Sequence, residues 1–477
     1  MKIKLTFNIF LAFSILFCFP IILADVYFRD DIPRVIYSFV GLSNLGRPLA
    51  DEVYYWMTGF KPGVDISPLP LLISSFTLAF IAYSFSKKIY KYEGINGIIV
   101  SLPLISSPFY LQNLSYKYDN LPMTLGVLFS LLPFILKTKS KLLLFAISTV
   151  SLIASMSFYQ SSINVYICAS IIIVSISILD GCDANKVFKI IMLYVLVLIT
   201  AVLLYKIFVI NLYIDSQGDS RSVIASFDKI SYNINRLNDD IYNLVFVEMR
   251  KTSLLIILIS LINVLICIYK LKLGFKDLII RLSVIIILTI FSYFTVGGIS
   301  LILHEGIAGP RAYMSFGLFI SMIFYFCLKN KNKIISVFSI LALSFSILFM
   351  YSYSFAYGNA LKSQRNQEMI VVNNIYSELN KLNPNLDYNV YISGVVRNSK
   401  ITQSTYRINK TMLQLNPNAE WVTRFIINSY GANIDWKWGG YDDYKKNALS
   451  GKYPTILKTK DFDIFKMDSG HFFVLIK

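Results

Sequence analysis

The feature that most constrains this chain is a succession of long apolar runs separated by short loops in which lysine recurs. A hydrocarbon core about 30 Å thick takes roughly twenty apolar residues per helix, so each run predicts a crossing helix. The runs lie near 5–24, 67–86, 95–113, 121–136, 142–159, 162–180, 188–212, 252–269, 279–303, 312–328 and 334–357. The third to sixth are short or interrupted, the breaks coming from Pro103, Pro108, Pro122 and Pro133.

The lysines give these runs a direction, because Lys and Arg accumulate at the cytoplasmic ends of spans. Lys87, Lys88 and Lys91 follow the second run, Lys137, Lys139 and Lys141 the fourth, Lys270, Lys272 and Lys276 the eighth, and Lys329, Lys331 and Lys333 the tenth. All fall on one side together with Lys2 and Lys4. The expected topology therefore has a cytoplasmic N-terminus and outward-facing regions at about 25–66, 114–120, around 160, 213–251, 304–311 and 358–477. Met1 to Ala24 reads as a retained first span, since its apolar run exceeds a usual signal-peptide core and no A-x-A site follows.

Composition agrees. Of 477 residues, 55% are hydrophobic and 15% charged, and the mean hydropathy is +0.58, too apolar for a soluble chain of this length. The net charge of +17 sits largely in short loops, which makes it a topological signal and argues against nucleic-acid binding. Cys18, Cys168, Cys182, Cys267 and Cys327 lie in or beside apolar runs without paired spacing, so neither metal nor redox work is indicated.

From about residue 358 the apolar runs stop. Asn359 to Leu382 predicts a helix continuing from the last span. Tyr388–Val395, Asp461–Met467 and Phe472–Ile476 read as strands, the last two joined by Asp468-Ser469-Gly470 as a hairpin turn. The expected fold class is an α-helical polytopic membrane protein of about eleven transmembrane helices. Residues 1–357 form its membrane domain, with a large first outer loop at about 25–66, and 358–477 form a small α/β C-terminal domain.

Chemistry-bearing residues gather in the outward regions. Asp30 and Asp31, in Asp30-Asp31-Ile32-Pro33-Arg34, lie close to the hydrocarbon, where carboxylates are costly unless solvated or paired. They read either as loop acids paired with Arg29 and Arg34 or as a general base for a hydroxyl acceptor; a divalent ion on the pair is a further, unindicated option. Arg34 and Arg47 carry the planar fork that binds phosphate. Ala50 to Phe60 reads as a short interfacial helix carrying Glu52. Lys117 and Asp119 share a short turn, as a self-satisfied pair or as the wall of a site. Gln160 is suited to orienting a substrate hydroxyl or to capping a helix, and His304, Glu305 and Arg311 mark another outer loop. There is no P-loop, dinucleotide fingerprint or HExxH, and the chain has two histidines.

Several stretches, in order from about 25 to 365, resemble the bacteriophage-borne, serotype-converting O-antigen glucosyltransferases of enteric bacteria. They are Asp30-Asp31-x-x-Arg34, Gly46-Arg47-Pro48-Leu49-Ala50-Asp51, Asp65-Ile66-Ser67-Pro68-Leu69-Pro70, Asn113 to Asp119, Ser157-Phe158-Tyr159-Gln160, Gly309-Pro310-Arg311 and Tyr357 to Leu361. The resemblance implies a GT-C-type membrane glycosyltransferase of the bacterial inner membrane. It would take glucose from a polyprenyl-phosphate carrier to O-antigen units on the periplasmic side, alongside a flippase and a cytoplasmic enzyme that loads the carrier. It implies that a first-loop carboxylate, Asp30 or Asp31, is the base; no cofactor is indicated by the sequence.

Cations would stabilise the departing phosphate, with Arg34, Arg47, Lys117 and Arg311 as candidates. Asp119, Gln160, Glu52, His304 and Glu305 are the candidate substrate contacts. In-line displacement would invert the anomeric centre, and Trp421, Trp436 and Trp438 are placed to stack on an acceptor glycan or to fill the core of their domain. Competing readings are an O-antigen polymerase, a transferase of another sugar, or a lipid-linked sugar flippase. The last is disfavoured because no inverted repeat is visible and the charges lie outside the mid-membrane.

Overall fold

The computed structural model describes residues 6–61, 63–136, 138, 140–214, 223–304, 309–330, 332–383, 389–429, 441–467 and 470–477. The chain is mostly helical, with several apolar helices and a small C-terminal sheet. It divides into two units, one of Met1–Ile22 with Val40–Phe355 and the other of Leu23–Phe39 with Ala356–Lys477.

In the first unit, eight helices among the described residues are long and apolar enough to cross a membrane by length and composition. The last of them, Lys333–Leu382, continues without interruption into the second unit. Three shorter apolar helical stretches, Gly94–Leu104, Asn120–Ile135 and Phe316–Leu328, coincide with expected runs. The run expected over 95–113 is not one helix: it is helical over Gly94–Ser101, tightens to a 3-10 turn at Leu102–Leu104, and resumes only at Tyr110–Ser115. Pro103 and Pro108 cause the break, each removing a backbone donor and clashing with the preceding turn. The run over 279–303 likewise ends at Phe294, followed by a 3-10 turn at Gly298–Leu301.

Close packing in this unit relies on small and hydroxyl side chains, as is usual where apolar burial cannot discriminate helix from lipid. The Ser130 and Ser155 hydroxyls lie 2.6 Å apart, Ser155 Oγ donates to Gly126 O at 2.8 Å, and Ser130 Oγ donates to Ser162 O at 2.7 Å. Ser321 Oγ donates to Val100 O at 2.6 Å and pairs with Tyr90 Oη at 2.7 Å. Ala184–Tyr213 and Phe275–Phe294, by contrast, leave most of their apolar side chains uncovered by protein. Expected and observed agree on the helix in the first loop: Pro48–Thr58 covers most of Ala50 to Phe60, with Pro48 in the first turn where its missing N–H costs nothing.

The second unit is built on four strands, β1 (Val390–Ser393), β2 (Thr455–Lys458), β3 (Phe462–Lys466) and β4 (Phe472–Ile476), in the order β1-β4-β3-β2. β1 runs parallel to β4, with Val390 opposite Phe472, and the other pairs are antiparallel. Alternation sends Val390, Ile392, Phe462, Ile464, Val474 and Ile476 to one face. There they meet Val371, Val372, Ile375 and Leu379 of the long helix and Phe425–Ile427 of the helix Glu420–Asn428. The other face holds Tyr391, Phe465 and Phe473 against Tyr441 and Ala448. Both faces are therefore covered, and the strands read as apolar runs rather than strict alternation.

β1 ends at Gly394, whose φ of +105° and whose approach to Ile476 O, 2.3 Å from where a Cβ would stand, leave no room for a side chain. β2 was not expected from sequence, because its residues are mostly exposed on the sheet edge. Asp468 and Ser469 of the expected hairpin turn lie outside the described residues.

Candidate active site

The expected site residues fall in both units. Arg47, Glu52, Lys117, Asp119, Gln160, His304 and Arg311 belong to the first, and Asp30, Asp31 and Arg34 to the second. Glu305, Trp436 and Trp438 lie outside the described residues.

In the first unit, a short loop positions Arg47 just ahead of the helix Pro48–Thr58. Asp51 closes that loop: its carboxylate accepts from Leu42 N at 2.9 Å, Ser43 N at 2.6 Å and Ser43 Oγ at 2.5 Å. Gly46 supplies the left-handed turn, with φ of +75°, and a Cβ there would come within 2.9 Å of Tyr205 Oη. Tyr205 Oη donates to Gly46 O at 2.8 Å, and Gln160 Nε2 donates to Leu45 O at 2.5 Å. Gln160 Oε1 accepts from Arg47 Nε at 2.7 Å, and the guanidinium lies 4.4 Å from the centroid of the Tyr159 ring. Among the described residues this is the one hydrogen bond from the Arg47 side chain, although the side chain is buried.

Arg311 is held in a parallel way. Its Nη1 donates to Tyr116 Oη at 3.1 Å, its guanidinium lies 5.8 Å from that ring's centroid, and its carbonyl accepts from Asn113 Nδ2 at 2.9 Å. Burial pushes the Arg47 guanidinium below its ordinary range; Tyr159 and Asp119 oppose that, and Arg311 acts with burial. Asp119 and Arg311 are thus both within electrostatic reach of Arg47. Each of the two arginines lies against a tyrosine face and carries a guanidinium fork of the kind that binds an anion.

Other expected contacts are occupied locally. Lys117 Nζ pairs with Asp65 Oδ2 at 3.3 Å, so its charge is matched, and Asp65 also accepts from Ser67 N at 2.8 Å. Glu52 is exposed on its helix. His304 is exposed as well, and its backbone N–H donates to Val223 O at 2.9 Å. Gln160 orients an arginine, so the structure gives it a positioning contact rather than the helix cap that was one expectation.

In the second unit, Asp31 opens the helix Asp31–Tyr37, is fully buried, and accepts from Phe28 N at 2.9 Å through Oδ2. A carboxylate in a first helical turn is favoured by the exposed N–H groups there. Asp30 is only partly buried, and Arg34 is buried in the same helix. Asp25 and Arg29 both take left-handed backbone conformations, with φ of 45° and 49°, an uncommon strain for non-glycine residues.

Sequence reasoning missed Tyr205 and Asp240. Tyr205 left little signal, being one of three hydroxyl residues, with Tyr194 and Thr200, in the apolar run over 188–212. Asp240 accepts from Tyr313 Oη at 3.0 Å, close to the Gly309-Pro310-Arg311 loop. Burial pushes its carboxyl up to about 6, against the Tyr313 hydrogen bond and the charge of Arg236, with Asp239 acting in the same sense as burial. No group of three or more metal-ligating side chains occurs among the described residues.

The chain is similar over 163 residues, at 32% identity, to the "Uncharacterized 55.3 kDa protein in gtrB 5'region" of Salmonella phage P22. The match spans 34% of each protein, about a third of that relative's length. No solved structure matches the chain. A family model described as glucosyl transferase GtrII matches residues 19–322, a segment that contains Asp30, Asp31, Arg34, Arg47, Lys117, Asp119, Gln160 and Arg311. The match covers well over half of the sequence, and the chain belongs to the glucosyl transferase GtrII family.

Proposed function

We propose that this protein is a polytopic inner-membrane glucosyltransferase that moves glucose from a polyprenyl-phosphate carrier to O-antigen units on the periplasmic side. The observation that carries the reading is the pair Arg47 and Arg311, each on a tyrosine face and within electrostatic reach of one another, inside the family-matched segment. A lipid-linked donor explains why an enzyme of this family combines apolar helices with no nucleotide motif. On this reading residues 1–357 form a GT-C-like membrane catalytic domain of about eleven spans, and 358–477 a periplasmic α/β domain. Arg47 and Arg311 stabilise the departing phosphate. The acceptor hydroxyl attacks the anomeric carbon as the carbon–oxygen bond to phosphate breaks, with inversion; the base that takes its proton is Asp30, a role that comes from the family resemblance of the Asp30-Asp31-x-x-Arg34 stretch. Asp31, buried and bonded to Phe28 N, positions that turn. A flippase and a cytoplasmic carrier-loading glucosyltransferase supply the donor.

The deciding experiment compares O-antigen structure by NMR and mass spectrometry in a host that makes polyprenyl-phosphate glucose, with and without this gene. A new glucosyl branch is the expected result. An unchanged glycan, with the protein present in the membrane and the acceptor suitable, overturns it in favour of another donor sugar or of lipid-linked sugar transport.

A further inference from the structure

An open cleft lies in the second unit, all of its walls coming from that unit. Its polar lining is Arg29, Gln364, Arg365, Glu368, Asn416 and Asn418. These side chains are held in place by one another and by the backbone. Arg365 pairs with Glu368 at 3.2 Å and donates to Tyr27 O at 2.7 Å. Gln364 donates to Glu368 at 3.2 Å and accepts from Ser399 N at 3.1 Å. Asn418 Nδ2 donates to Asn398 Oδ1 at 2.7 Å and Val396 O at 3.3 Å, and Asn416 Nδ2 donates to Tyr406 Oη at 2.9 Å. At the rim, the Arg29 guanidinium lies 5.7 Å from the centroid of the Trp421 ring, on a residue whose backbone is left-handed.

We infer that this cleft binds an oligosaccharide segment of the acceptor glycan. The inference rests on the glucosyltransferase reading and adds where the acceptor is recognised. Sugar hydroxyls both donate and accept, and they are matched by groups that do the same: three amides and a guanidinium–carboxylate pair. The Arg365–Glu368 pair cancels its own charge and sets a carboxylate in the wall, which disfavours phosphate there, while Arg29 adds a further set of hydrogen-bond donors for sugar oxygens. Polar walls likewise disfavour a lipid chain. Of the lining segments, only residues 26–29 lie inside the family-matched segment, which ends at residue 322; the rest come from 361–422. A site assembled mainly outside the shared segment, and touching it beside Asp30, is where a recognition element that differs among family members would stand.

The test uses full-length protein in nanodiscs and delipidated O-polysaccharide purified from the host as the probe. Binding is measured by titration calorimetry, and glucosyl transfer from polyprenyl-phosphate glucose is assayed separately. Asn418→Ala, at an exposed position, and Glu368→Gln are each expected to weaken polysaccharide binding about tenfold, the loss of one or two hydrogen bonds to ligand, and to raise the acceptor KM in step. Lys445→Ala, on an exposed helix face, is the control and should bind as wild type. Should Glu368→Gln lower the unfolding temperature, Asn418→Ala decides alone. Transfer by the wild type with unchanged binding and KM in Asn418→Ala overturns the cleft and leaves the enzyme reading intact. Polysaccharide binding that is lost in the variants, in a wild type that transfers no glucose, supports the cleft and overturns the enzyme reading. Failure of the wild type to bind the probe overturns the cleft.

Discussion

In the unit formed by Met1–Ile22 and Val40–Phe355, the polar side chains are held by partners remote in sequence. Arg47 reaches Gln160, 113 residues away, and Asn113 reaches Arg311, 198 residues away. In the unit formed by Leu23–Phe39 and Ala356–Lys477, a two-faced sheet forms the core, and polar contacts range from local caps, such as Ser399 accepting from Thr402 N at 3.1 Å, to Arg365 reaching Tyr27 O across 338 residues. The family-matched segment covers most of the first unit and only the first-loop part of the second. Chemistry shared by a family belongs with the first kind of construction, where each polar contact is specific. A sheet domain stabilised by apolar burial tolerates changes at its rim, which suits recognition that varies.

The sharpest break would come at the first-loop acids. Asp30→Asn is expected to lower glucosyl transfer about 10²–10⁴-fold with normal membrane levels, the usual contribution of a positioned base, whereas Asp31→Asn should mainly lower folded protein. An Asp30→Asn protein with full activity would remove it as base. Transfer assays paired with immunoblots of membranes separate the two.

Asp240 provides a pH handle on the first unit. Its carboxyl is raised from 3.8 to about 6, so the fold favours the protonated form. The associated stability is fully present below the unfolded value and is lost as pH rises through about 6, by up to about 3 kcal/mol. Thermal unfolding of purified protein should show wild type losing stability between about pH 4 and pH 7 and Asp240→Asn losing much less. Equal slopes would show that burial of this acid is not felt.

Arg47→Lys is expected to reduce transfer by roughly 10- to 100-fold, since a lysine keeps the charge but not the fork that holds Gln160 while facing a phosphate. An equally active Arg47→Lys enzyme would assign Arg47 a packing role. Smallest of all, Lys381→Ala removes an exposed pair with Glu378 at the end of the long helix and should change second-unit stability by less than about 0.5 kcal/mol in thermal unfolding.

Much of the architecture was legible because period and length are local properties. Apolar runs announced the long helices, and Phe472–Ile476 announced β4 to the residue. What escaped was set by contact. β2 is an exposed edge strand whose sequence carries no apolar pattern, and its place depends on Phe462–Lys466 beside it. The break in the run at 95–113 was marked by Pro103 and Pro108, but where the helix resumes depends on packing. At the candidate site, the residue types of Arg47, Gln160 and Arg311 were legible from their motifs. The roles were not, because nothing in the Tyr159-Gln160 dipeptide says that an arginine in a distant loop rests on it. Tyr205 and Asp240 contribute only through partners that the chain order does not reveal.

The tether between Gln160 and Arg47 has a further consequence. A carboxylate in Gln160's place would hold the guanidinium at least as firmly, but it would cancel the charge it holds, as Asp65 does for Lys117. An amide fixes the direction of the arginine and stays electrically silent. The loop therefore holds the Arg47 guanidinium in a set orientation through a neutral partner, and Gln160→Glu would turn that contact into an ion pair.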